Sequence, residues 1–482
     1  MKRLLAYIFL SILVWGQVLA HSGKPRYHVV IDTDGAIDDM RAITMFLSGN
    51  DIRVLAITCS EGTLLPGEIA MKVQSLLSAF HNEGIPVGTS QELHIPVPPW
   101  RSFAREIKWA GEAGSSDLIP IGPSMEVITR AVERYPDKIT LIALGSLRTY
   151  ADWIREDPAR TGRIERIIWY NESDIEKGYN YSVDPGSYDY ILQSGIPLEM
   201  VSNPGDTYAI TPEYFDLIQK EPSLYASLIS RVHAQPLVAG RIDDAHLKLW
   251  DDLVPLYLTV PLLFTLEDEG GIRRATLARN LPPDFLYETI GKLLASATLT
   301  NNRVFISFPV DPALYKPDYA GMLEETVAEY GLIEWKAVCM TNEIHGHTGI
   351  YSIIGAKMGI RAMDYFNVGI NNLIITTFAG NAPPLSCFND GIQISTGATI
   401  GQGLITIADS VSAIPSALFE FNHQLVKISL KPEMAQQMHR EIKYGVDTFG
   451  LQTDRYWIYI EQLAIKYWAD FDRNKIFVIE RM

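Results

Sequence analysis

Four aspartates fall within eight positions of the stretch "VVIDTDGAIDDMRAI": Asp32, Asp34, Asp38 and Asp39. Like charges this close repel, and a buried carboxylate is costly unless something compensates it. Exposed N–H groups at a helix start, the positive end of the helix dipole and a divalent cation can each do so. Capping by Asp38 accounts for one carboxylate with the others facing solvent, whereas four at one point favour a hard-cation site. An all-oxygen supply, with no partnered histidine or cysteine, favours calcium over zinc. Calcium so held positions a water and lowers its pKa, and a neighbouring carboxylate can take the proton.

A second group of chemically capable residues lies far along the chain. "EIHGHTG" carries His345 and His347, and "SCFNDGIQISTGATIGQG" carries Cys387, Asp390 and Gln393. Histidines at i and i+2 share one side of an extended strand, and a nearby cysteine would complete a site for zinc or another transition metal. Loop histidines and a buried thiol fit the same residues equally well. The turn "GATIGQG" lacks the lysine of a P-loop and the context of a dinucleotide fingerprint, so it reads as flexible turns.

The elements that must position these groups alternate. "YHVVIDTD", "IRVLAITCS" and "IPVGT" read as strands separated by the helices "DDMRAITMFLSG" and "GEIAMKVQSLLSAFHNEG", and later segments continue the series. Continuous apolar strands in βα order predict an open, mostly parallel α/β sheet with helices on both faces, with ligands at the carboxyl ends of its strands. Residues 99–123 are polar, aromatic and glycine-punctuated, an insertion or lid. Residues 211–248 read as helical. At 482 residues and 47% hydrophobic composition the chain has room for two or three domains. The texture changes near Trp335, which places a first domain over 24–332 and a smaller α+β domain with a C-terminal extension over 333–482. The aromatic segment "YWIYIEQLAIKYWADFD" predicts an amphipathic helix that packs in the core or between domains or subunits.

A formal charge of −16 argues against binding nucleic acid polymers. Residues 1–20 have two basic residues, an apolar stretch of about twelve residues and a small-residue end at Ala20, the pattern of a cleaved export signal and too short for a spanning helix of roughly twenty. The expectation is export, to the periplasm, with no stable membrane insertion after cleavage. Cys59, Cys339 and Cys387 leave at least one thiol unpaired in the monomer, and export would permit a Cys339–Cys387 bridge. A homo-oligomer is left open.

The aspartate stretch resembles the N-terminal motif of the inosine-uridine-preferring nucleoside hydrolases, calcium-dependent enzymes of open α/β fold that cleave the N-glycosidic bond of ribonucleosides. "VLAITCSEG", "ITLIALGSLRTYA", "NYSVDPGSYDYILQSGIPLEMV" and "WDDLVPLYL" extend the resemblance over about residues 27–330. It implies that Asp34 touches calcium and serves as base, that Asp39 and Asp251 are calcium ligands with the Leu144 carbonyl, that Asp38 and Asn180 hold the sugar, and that Asp32 supports the loop. The implied ligand is a riboside or a related sugar-like small molecule. Carboxylates around a sugar that develops positive charge make that set chemically coherent.

Three positions depart from the family. Thr63 stands where an asparagine follows glycine, Gly178 where a glutamate precedes the later asparagine, and Trp250 where a histidine precedes the metal aspartate. Trp250 is no acid at ordinary pH but offers a stacking face. Thr63 and Trp250 are therefore the positions that decide substrate binding, and the residues leave two functions open: hydrolysis of a ribonucleoside or related riboside, or calcium-assisted binding of a nucleoside or sugar with weak or no turnover. Residues from about 335 to 430 resemble the FmdE family, through a histidine-glycine-histidine opening and a cysteine, aspartate and glutamine segment. That likeness implies a site at His345, His347 and Cys387.

Overall fold

The computed structural model describes residues 25–110, 119–204, 208–220, 222–244, 246–296 and 304–482. The expected export signal and residues 111–118 of the expected lid lie outside the described residues.

A nine-stranded sheet organises the first region. In chain order its strands are β1 (Tyr27–Thr33), β2 (Ile52–Cys59), β3 (Val87–Thr89), β4 (Ile121–Pro123), β5 (Ile139–Ala143), β6 (Ile164–Tyr170), β7 (Leu198–Ser202), β8 (Phe264–Glu269) and β9 (Ile272–Leu277). They lie side by side as β4-β3-β2-β1-β5-β6-β7-β9-β8, parallel throughout except for the β8–β9 pair. Side chains alternate across β1, so Val29 and Ile31 enter one apolar core and Val30 the other. Both faces are covered, which is why β1, β2 and β5 are nearly pure apolar runs. Strand order reverses at β1, with β2 on one side and β5 on the other, and this opens a crevice at their carboxyl ends. Asp34 follows β1 and Leu144 follows β5 at that crevice.

A second region holds a five-stranded sheet of β10 (Ile374–Thr377), β11 (Ile405–Ile407), β12 (Ser416–Phe421), β13 (Gln424–Leu430) and β14 (Phe477–Arg481), ordered β11-β10-β12-β13-β14. Only β10 and β11 run parallel. Helices Leu332–His345, Ile350–Phe366, Phe388–Thr396, Pro432–Phe449 and Asp454–Asp470 accompany it. Phe308 and Leu323, ahead of residue 332, pack into this region's core. The aromatic helix Asp454–Asp470 also packs there, with Trp468 stacked on Trp335 at 4.5 Å between ring centroids. Arg361 reaches both Glu83 oxygens at 3.0 Å, and the Asn82 amide donates to the Asp364 carbonyl at 2.8 Å, so the two regions are hydrogen-bonded together.

One local reading changes, and one open possibility is not realised. His345 and His347 do not share an extended strand: His345 is the last residue of a helix, which Gly346 ends in the left-handed conformation at φ 79°. Cys339 and Cys387 are not bridged, and Cys59 is likewise free. Among the described residues no helix is long and apolar enough to cross a membrane.

Candidate functional site

Asp34, Asp38, Asp39, Thr63, Leu144, Asn180, Trp250 and Asp251 line one cavity of about 340 Å³ at the crevice. Asp32 stands behind it, accepting hydrogen bonds from the hydroxyls of Thr58 at 2.6 Å and Ser60 at 2.7 Å. Those bonds tie β1 to β2, and burial, partly opposed by them, pushes the Asp32 carboxyl up to about 7.

The helix Ile37–Ser48 starts directly after the loop, which puts Asp38 and Asp39 in its first turn. One oxygen of Asp39 gathers the Thr33 hydroxyl at 2.6 Å and the Asp34 and Gly35 amides at 2.9 and 3.3 Å. Asp38, Asp39 and Asp251 offer carboxylate oxygens within 4.8 Å of one another, and no other such group of three forms among the described residues. Asp251 is almost fully buried and its Oδ1 has no hydrogen-bond partner. Burial and then the neighbouring carboxylates push Asp34 and Asp251 well above the ordinary carboxylate range, and Asp38 up to about 7. Crowded, buried oxygens with an orphan among them fit a hard divalent cation.

Asp34 lies outside that group of three, where Asp38 takes the place expected for it. Its carboxylate turns toward the Ser60–Leu64 loop, held by the Ala36 amide at 3.3 Å and by Thr63, whose hydrogen bonds oppose the rise in its pKa. Gly62 permits this, since a Cβ there would sit 2.4 Å from Asp34 Oδ2. Thr63 is itself clamped: its hydroxyl accepts from the Trp100 indole at 3.1 Å and its carbonyl from Arg101 at 2.9 Å. The helix Arg101–Glu106 of the expected lid thus fastens the loop that faces Asp34.

Asn180 donates to the carbonyls of Leu144 at 2.7 Å and Tyr170 at 3.1 Å, bracing the ends of β5 and β6. Gly178, where the family has a glutamate, lies against Asn171. A Cβ at Gly178 would lie 1.9 Å from Asn171 Oδ1, so the Asn171 amide fills that space. Asn171 lines the cavity, and its Oδ1 is buried and unpartnered. It follows β6 as Asp34 follows β1, a polar residue just past an apolar strand, which was a readable signal. Trp250 does line the cavity, with Trp100, Phe103 and Tyr179 as further aromatic walls.

Arg41 joins the two halves of the acidic site. It is fully buried, reaches Asp252 through Nε and Nη2 at 2.8 Å each, and donates to the Lys248 carbonyl at 3.0 Å. A guanidinium only donates, so His233 Nε2 accepts from Arg41 at 3.2 Å while Nδ1–H serves the Ile229 carbonyl at 2.7 Å. His233 is therefore neutral, and burial, then Arg41, drives its pKa down to about 3.

In the second region His345 Nδ1 lies 2.9 Å from Asp390, and its Nε2 is buried without a partner. The His345 and His347 rings are 4.3 Å apart. With Cys387 they do not assemble three ligands on one point among the described residues; the two imidazoles lie tilted at 43° to each other across the turn at Gly346.

Residues 29–282 match the family model described as inosine-uridine preferring nucleoside hydrolase, and residues 344–468 match FmdE, of the molybdenum formylmethanofuran dehydrogenase operon. Uridine nucleosidase 1 of Arabidopsis thaliana is 24% identical over 203 residues, 39% of this chain and 58% of that protein, so the chain spans less than two thirds of that relative. The non-specific ribonucleoside hydrolase RihC of Escherichia coli strain SE11 is 24% identical over 267 residues, 52% of this chain and 87% of that protein. A solved inosine-uridine preferring nucleoside hydrolase from Bacillus anthracis superposes with a TM-score of 0.47 at 15% identity, covering 56% of this chain and 99% of that one.

Proposed function

The chain belongs to the inosine-uridine preferring nucleoside hydrolase family through residues 29–282, and from that premise we propose that it hydrolyses the N-glycosidic bond of a ribonucleoside or related riboside with calcium as cofactor. The observation that supports this best is the convergence of Asp38, Asp39 and Asp251 on one point of an aromatic-walled cavity, with Asp251 Oδ1 buried and unpartnered. Calcium, when bound, supplies the Lewis acidity that lowers the pKa of a water and accepts sugar hydroxyls. Asp34 takes the proton of the attacking water. The orphaned oxygen of Asn171 meets a ribose hydroxyl, and the buried carboxylates stabilise positive charge that develops on the sugar. Trp250 offers the base an apolar face. The basic and apolar segment at residues 2–15 supports export, and we place the activity in the periplasm.

Purified protein with calcium, screened against nucleosides and other ribosides, tests this reading. Turnover that requires Asp34 is expected, and no turnover at confirmed metal occupancy would overturn it. The replaced groups at Thr63, Gly178 and Trp250 favour a second reading, binding without turnover, which calorimetry would reveal as affinity for nucleosides in a protein that leaves them intact. For the FmdE-like domain the orphaned Nε2 of His345 supports a bound ligand, and an imidazole suits zinc or another transition metal.

A further inference from the structure

A departing nucleobase carries away the electron pair of the broken bond, and the Trp250 indole is no acid that could protonate it. The wall on which Trp250 sits carries another strong group. Arg241, on the helix Pro236–Asp243, lines the cavity with His246, Leu247 and Trp250. Its guanidinium carbon lies 5.2 Å from the centroid of the Phe103 ring, so this cation bridges two walls of the cavity. The Arg241 carbonyl accepts the His246 amide at 2.9 Å, folding the connection back so that residues 246–250 share its wall. Arg241 is exposed at the mouth and pairs with no carboxylate among the described residues. The other charged side chains on the cavity, apart from any charge on His246, are acidic: Asp34, Asp38, Asp39, Asp251 and Glu172. The cavity therefore holds a buried cluster of carboxylates and, on the wall that carries Trp250, a guanidinium with no carboxylate partner among the described residues.

That charge distribution matches heterolysis of a riboside. The bond from the anomeric carbon to the base nitrogen breaks with both electrons going to nitrogen, leaving positive charge on the sugar beside the carboxylates. The water oxygen bonds to that carbon and gives its proton to Asp34, and the base takes a proton from solvent after release. Resting on the hydrolase reading above, we propose that Arg241 stabilises the departing base as an anion. The site then needs no general acid, and it selects neutral ribosides, whose bases leave as anions, over ribosides that already carry a cationic base.

Two ribosides with oppositely charged departures test this: uridine, whose base leaves as an anion, and the N-riboside of nicotinamide, whose pyridinium leaves neutral. R241Q is expected to lower kcat/KM for uridine roughly ten- to a hundredfold, the scale of a charge-assisted hydrogen bond, while hydrolysis of the pyridinium riboside holds or rises. Parallel loss on both, or no loss on uridine, overturns the proposal. So does a uridine-selective loss in H246Q with R241Q unaffected. A binding arm is independent of turnover: 5-nitrouracil, ionised at neutral pH, should bind wild type more tightly than thymine does, and R241Q should erase that preference. No preference in wild type overturns the role of Arg241. If wild type cleaves neither riboside, the hydrolase reading fails and the binding arm alone decides Arg241.

Discussion

Asp34, Asp38, Asp39 and Asp251 are buried together at the ends of β1 and its neighbours, and the guanidinium closest to them in the network, Arg41, is committed to Asp252. Glu334, in the second region, is equally buried but has Lys357 on one oxygen and Arg473 on the other at 3.1 Å, while Arg473 also reaches Asp364 at 3.0 Å. Lys357 is fully buried as well, over the face of Tyr330 at 4.3 Å. Both regions bury charge, and both hold buried ion pairs, but the four aspartates at the crevice have no cation paired to them as Glu334 has. A carboxylate cluster that the chain leaves uncompensated is a request for a ligand, whereas a compensated one is architecture.

The comparison breaks most sharply at Asp34. D34N should cut turnover by about 10²–10⁴-fold, the range of a general base, with the fold retained. Equal turnover in that variant would remove Asp34 from the chemistry. Next, E334L should cost ~3–5 kcal/mol by leaving Lys357 and Arg473 without their buried partner, measured by denaturant unfolding, and E334L/K357M should recover much of it. An E334L variant as stable as wild type would mean that the network is not compensating anything.

Calcium should separate the two regions. At a hundredfold excess over Kd it should stabilise wild type by about 2.7 kcal/mol, and it should do the same for E334L. D39N should lose that shift and, without metal, should gain stability, because removing one of four crowded carboxylates relieves repulsion. A D39N protein that still gains Tm on calcium would move the site elsewhere.

His233 gives the pH dependence. Its folded pKa, down to about 3, is below the unfolded value of about 6.5, so the unfolded chain binds the extra proton. The stability it contributes is full above about pH 6.5 and is lost as pH falls toward 3. H233Q should flatten that part of a Tm-against-pH profile. The smallest effect belongs to the clamp on Thr63: T63V removes a hydroxyl that bonds both Trp100 and Asp34 and should cost ~0.5–1.5 kcal/mol in transition-state stabilisation, with T63S retaining most activity. Identical kinetics in T63V and T63S would show that the hydroxyl does not orient Asp34.

Much of the first region was legible because its signals are local. Apolar runs ending in polar residues marked β1 and β2, a continuous apolar run marked β5, and four aspartates at one strand end marked the crevice. The segment at residues 99–123 read as an insertion or lid from its texture, and within it Trp100 and Arg101 hydrogen-bond to Thr63. Other features were not legible. That Asp38 rather than Asp34 joins Asp39 and Asp251 depends on which way each carboxylate turns, and the turn of Asp34 is set by a Thr63 hydroxyl and a Gly62 without a Cβ. His345 and His347 looked suited to an extended strand because spacing cannot foresee a left-handed residue between them.

The sequence by itself determined that acidic oxygens would be crowded at the end of a buried strand, because strand period, apolar content and capping act over a few residues. Tertiary structure alone decided which of those oxygens meet. Arg41 and Asp252 are separated by 211 positions in the chain, and their fully buried pairing ties the helix whose first turn carries Asp38 and Asp39 to the segment carrying Asp251. Contacts of that separation are fixed by packing and by the need to partner every buried charge, and neither is written in any short stretch of residues.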